Sequence, residues 1–199
     1  MKYKNTLKII AEITIMSALA FTLDYAQGLI TSGLFPNGGS IGIAMLPILF
    51  LSYRRGFLSG LICGLVVSVL QMIPGIYIIP GANLPTIIFQ VLLDYVIAYP
   101  LSGFSGLFFK SFTKTNKNSI KIAFLISGTL LGGMLKFLTH FLAGVIFWSS
   151  SCPDGFAGGP IVYSFLYNGS YMFPNIIICG LIITLMYLKI PKLFNNTDN

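Results

Sequence analysis

The residues able to do chemistry in this sequence fall in three apolar runs. Asp94 and Tyr95 stand in one, Lys136, His140 and Trp148 in the next, and Tyr163 and Asn168 in the last. His140 is the sole His and Trp148 the sole Trp. Lys136, His140, Gly144 and Trp148 recur every four residues, a spacing that keeps them along one slowly winding face of a helix. An ionised side chain at bilayer depth costs about 2.5–3.5 kcal/mol on insertion scales. Asp94 and Lys136, the acid and the base well inside their runs, therefore need partners. One reading is a structural ion pair clamping the two helices; the other is that both line a hydrated pocket. Alone, His140 reads as a hydrogen-bonded bundle histidine and Trp148 as an interface-belt Trp. Together with Tyr95, Tyr163 and Asn168 they form a constellation. Aromatic faces stack on a planar heterocycle and attract a cation, while Asp, His and Asn supply the few convergent hydrogen bonds that fix its orientation. A small aromatic cation suits this set better than a sugar or a lipid.

Other chemistry lacks its residues. There is no Gly-rich phosphate loop of the Walker type, so ATP hydrolysis is not expected of this chain. No HExxH or paired-Cys pattern points to a metal. One His without a nucleophilic Ser or Cys nearby makes a hydrolase unconvincing. No catalytic residue, metal or cofactor is expected.

Composition sets the surroundings in which that site must work. Of 199 residues 55% are hydrophobic and 9% charged, far below the roughly 25% charged residues of a soluble domain. The expectation is an all-α integral membrane protein in a single domain over 1–199, with helices at about 7–30, 41–53, 56–73, 84–109, 119–148 and 161–189. The formal net charge of +7 is topology and lipid attraction rather than a nucleic-acid footprint. Lys2, Lys4, Lys8, Arg54, Arg55, Lys110, Lys114, Lys117, Lys121, Lys189 and Lys192 flank alternate ends of the runs. The loops at 31–40, 73–84 and 149–160 hold no Lys or Arg. That alternation places both termini in the cytoplasm of a multi-pass cell-membrane protein. Glu12 interrupts the first apolar core and no small-residue cleavage site follows, so this run reads as a retained helix. Cys63 and Cys179 fall in apolar runs and only Cys152 lies outside, which is no disulfide framework.

The elements that must position the site carry their own signals. In the first helix Ala11, Thr14 and Ala18 make a small-residue face on which another helix could dock. Asp24, near its outer end, reads as hydrated or bonded to a loop. Thirteen residues at 41–53 reach roughly 20 Å, less than a 30 Å hydrocarbon core. A depression is therefore expected on the outer side of the second helix, roofed by the loop LFPNGGS (34–40). Gly56, Gly60, Gly64 and Ser68 repeat every four residues in the third helix, as Gly128 and Gly132 do in the fifth, and predict close helix contact. Pro174 and Asn175 interrupt the sixth.

Three blocks carry a resemblance: GGSIGIAMLPILFLSYRRG (38–56), LLDYVIAYPLSGFSGLF (92–108) and KFLTHFLAGVIFW with YSFLYNG (136–169). They resemble the thiamin-specific substrate-binding component of energy-coupling factor transporters, the YuaJ-type thiamin transporter family of bacterial plasma membranes. The resemblance implies a six-helix bundle that binds thiamin near its outer face. It also implies a coupling membrane protein and two ATPase subunits that power uptake, with Ala11, Thr14 and Ala18 as the docking face. Asp94 and Tyr95 match the family's acidic-aromatic pair, Lys136, His140 and Trp148 its fifth-helix set, and Tyr163 and Asn168 its sixth-helix set. Some relatives carry Glu at the position of Asp94, and a Trp in the first outer loop where this chain has Phe35 nearby. The rival readings are a stand-alone proton-coupled transporter and an intramembrane enzyme using His140 and Asp94 as acid and base.

Overall fold

The computed structural model describes residues 2–195, with side chains from Asn5 onward; the side chains of Lys2 and Lys4 lie outside the described residues. The regular elements among the described residues are all helices, without a strand. Six helices follow one another: α1 (Lys2–Thr31), α2 (Leu46–Arg55), α3 (Phe57–Leu70), α4 (Leu84–Lys114), α5 (Asn118–Phe147) and α6 (Gly159–Lys189). Four of them, α1, α4, α5 and α6, are long and apolar enough to cross a membrane, whereas α2 and α3 are short.

The small-residue repeats bring backbones together. A Cβ on Gly64 would lie 2.6 Å from the Pro100 Cα, and one on Gly106 would lie 2.6 Å from the Phe57 Cα, so α3 and α4 touch main chain to main chain. On α5, a Cβ at Gly132 would meet the Ser102 carbonyl oxygen at 2.5 Å, and one at Gly128 the Ser105 carbonyl oxygen at 2.8 Å. Near the termini, Phe50, Tyr53, Phe112, Tyr187 and Phe194 form an aromatic core of edge-to-face and tilted ring contacts.

Two elements depart from the sequence expectation. The second helix starts at Leu46 rather than 41, because residues 41–45 run as bends and turns. Their amides are met from neighbouring helices: Gly42 N–H donates to Asn175 Oδ1 (2.7 Å) and Ala44 N–H to Gln27 Oε1 (3.1 Å). Irregular backbone at membrane depth is stable when protein groups satisfy it in this way.

The fourth helix is not uniform either. It widens to a π-turn at Leu92–Ile97 and tightens to 3-10 geometry at Gly103–Phe108. Pro100 has no N–H for the Val96 carbonyl, which instead accepts from Ser68 Oγ at 3.1 Å. The Tyr95 carbonyl accepts from Gln71 Nε2 at 2.9 Å. Side chains at the end of α3 and just beyond it thus bond the carbonyls of the widened turn, and that turn carries Asp94 and Tyr95.

Candidate functional site

A cavity of about 550 Å³ opens at the end of the bundle opposite the termini. The loop at 36–40 forms part of its lining, whereas no residue of α2 does, so the depression expected above the second helix is not what shapes it. Asp94, Tyr95, Lys136, His140, Trp148, Tyr163 and Asn168 all line it. The α5 stripe therefore divides as its composition suggests: Gly128 and Gly132 are used in helix contact, while Lys136, His140, Gly144 and Trp148 face the cavity.

One wall is a flat aromatic surface with a carboxylate at its edge. The Trp148 indole stacks on Tyr77 with ring centroids 5.3 Å apart and planes 25° from parallel. Its Nε1–H donates to Asp94 Oδ2 at 2.9 Å, and Gln90 Nε2 reaches the same oxygen at 3.4 Å. Tyr77 is fixed in turn, since its N–H donates to the Tyr95 hydroxyl and its carbonyl accepts from Gln90.

The facing wall belongs to α6 and the first loop. Tyr171 donates to Asn168 Oδ1 at 2.6 Å, and Asn168 Nδ2 donates to the Ser164 carbonyl at 2.9 Å. The Tyr167 hydroxyl accepts from the Asn37 N–H and donates to the Gly38 carbonyl, while Tyr163 accepts from Asn37 Nδ2. Phe35 is buried beneath that loop, edge-on to Tyr167 and Tyr171. His140 lies edge-on to Tyr171 and has no hydrogen-bond partner among the described residues, which leaves its ring nitrogens for a guest.

Of the two readings of Lys136, the structure matches pocket lining rather than the clamp, since both Lys136 and Asp94 line the cavity. Lys136 forms no ion pair with Asp94 among the described residues. Its ammonium lies over the Tyr99 ring, 3.3 Å from the centroid, and the Tyr99 hydroxyl donates to Asp24 Oδ1 at 2.5 Å. Asp24 is accordingly a cavity residue and not merely a hydrated helix-end acid. Helical spacing contained further signals. Tyr163, Tyr167, Tyr171 and Asn175 recur every four residues on α6, and Tyr95 and Tyr99 do so on α4. Tyr77 enters from an irregular loop, and no periodicity could have marked it.

Residues 10–195 match the family described as thiamine transporter protein (Thia_YuaJ). The chain belongs to that family. It is 35% identical to the thiamine transporter ThiT of Bacillus subtilis (strain 168) over 189 residues, covering 93% of each chain. A thiamine transporter ThiT of Lacticaseibacillus paracasei is 29% identical over 201 residues, covering 100% of this chain and 96% of its own. In fold, the chain is similar to the solved structure of ThiT from Listeria monocytogenes, with a TM-score of 0.77 at 26% identity over 96% of this chain and 98% of that one. Membership of this transporter family, together with the four long apolar helices, makes the chain a multi-pass bacterial membrane protein and removes the intramembrane-enzyme reading.

Proposed function

We propose that the chain is the thiamin-binding subunit of an ATP-driven vitamin uptake transporter and that thiamin occupies the cavity. The observation that carries this reading is the Trp148–Tyr77 wall with Asp94 at its edge. A flat face for stacking a heteroaromatic ring stands beside a carboxylate able to accept from an exocyclic amine. A cavity of about 550 Å³ lies within the usual size of small-molecule sites. Trp148, Tyr95 and Tyr163 enclose the rings, Asp94 and His140 bond their polar edges, Lys136 reaches the hydroxyethyl end, and Asn168 holds Tyr171 in place.

The energy comes from elsewhere, because the chain has no phosphate-binding loop of its own. Ala11, Thr14 and Ala18 are exposed on α1, which is the least covered of the four long helices. They suit docking on a coupling membrane protein driven by two ATPase subunits. The basic helix ends favour cytoplasmic termini and a cavity open to the outside.

Calorimetry on the purified protein tests the ligand: one saturable site at nanomolar thiamin is expected, and silence up to millimolar thiamin would overturn the assignment. Ala18→Trp is expected to keep that binding and abolish uptake in cells holding the coupling module. Uptake by the chain without any ATPase partner would contradict the energetic part. For topology, a membrane-impermeant maleimide should label Cys152 on intact cells. Labelling that requires broken cells would reverse the orientation.

A further inference from the structure

We infer that Asp24 sets the charge preference of the cavity, making it a site for a monocation through its net charge rather than through aromatic stacking alone. The inference rests on thiamin being the ligand. Besides tyrosines, the titratable groups lining the cavity are Asp24, Asp94, Lys136 and His140. Counted formally at pH 7 with His neutral, two acids and one lysine give the cavity lining a charge of minus one. A ligand with a single fixed positive charge, such as a thiazolium, brings the sum to zero.

The geometry ties the two opposite charges on this side together. Asp24 accepts from the Tyr99 hydroxyl, and the Tyr99 ring carries the Lys136 ammonium on its face. Lys136 meets no carboxylate in an ion pair among the described residues, and Asp24 is the acid linked to it through Tyr99. Asp94 is the other acid, held by Trp148 and Gln90 at the aromatic wall. Neutralising Asp24 leaves Lys136 without that linked acid and puts a like charge opposite the guest, in surroundings where a unit charge is weakly screened. Asp24 is thus a positioning residue for charge. It acts on the ligand through Tyr99 and Lys136, apart from the polar contacts on the opposite wall.

The test compares thiamin with its neutral isostere, in which carbon replaces the thiazolium nitrogen. Calorimetry gives the ratio of their dissociation constants in each variant, and thermal unfolding reports which variants are folded. Asp24→Asn is expected to lower the preference for the cation about tenfold to a hundredfold, with a much smaller effect on the isostere. Asp24→Glu should keep the preference. The deciding variant is Asp24→Asn combined with Lys136→Met, which restores minus one and should restore the preference even where overall affinity is reduced. A ratio unchanged in Asp24→Asn, or one that the double variant fails to restore, would overturn the inference. Absence of thiamin binding in the natural protein would instead overturn the function on which it rests.

Discussion

The two ends of this bundle treat their polar groups in opposite ways. At the end carrying the termini, the buried charges and tyrosine hydroxyls bond to protein, although the Ser105, Thr129 and Thr184 hydroxyls are buried without a partner among the described residues. Glu12 pairs with Arg55 at 2.7 Å and with Arg54 at 3.1 Å, and Arg54 also donates to the carbonyls of Leu193 and Asn195. Tyr187 donates to Asn118, and Tyr53 to the Leu125 carbonyl. At the other end the helices are interrupted, the first loop hangs on tyrosine hydroxyls, and His140, Lys136 and Asp94 face a cavity. Buried charged and ring-nitrogen groups are costly unless paired, and at this end His140 has no hydrogen-bond partner and Lys136 no ion pair among the described residues. The difference separates a packed end from a cavity end within one set of helices.

The strongest challenge to that division is a side chain where main chains touch. Gly64→Leu drives a branched side chain into the Pro100 backbone, and overpacking against main chain exceeds the usual 1–3 kcal/mol. Loss of monodisperse folded protein on size exclusion is expected. Trp148→Ala should weaken thiamin about a hundredfold by calorimetry, since it removes both the stacking face and a bond to Asp94, while the protein stays folded and monodisperse on size exclusion. Glu12→Gln should do the reverse, lowering stability by about 1.5–3 kcal/mol in thermal unfolding with thiamin affinity intact. Phe35→Ala loosens the loop packed on Tyr167 and Tyr171. A roughly threefold to tenfold faster thiamin dissociation in stopped flow is expected, in keeping with affinity changes that fall mainly on the off-rate.

Much of the scaffold was legible in the sequence because membrane helices write a strong signal. Long apolar runs separated by basic ends gave six helices, and the four-residue glycine repeats marked contacts that the structure contains. The cavity wall on α5 was legible for the same reason, one helical face carrying Lys136, His140 and Trp148. What escaped was irregular backbone. The bends at 41–45 and the π-turn around Asp94 depend on side chains from elsewhere in the bundle, Asn175, Gln27, Ser68 and Gln71, which accept or donate where the helix cannot. Pro100 was the one local sign of the second departure. The partner of Lys136 escaped too, because counting acids and bases inside helices favoured Asp94 and overlooked an aromatic ring joined to Asp24.

Trp148 fluorescence tests the central claim most directly, because no other Trp contributes emission. Thiamin added to the purified protein is predicted to quench that emission saturably, at the same concentration that calorimetry reports for binding. Calorimetric binding with unaltered Trp148 emission would place the ligand away from the aromatic wall and contradict the account.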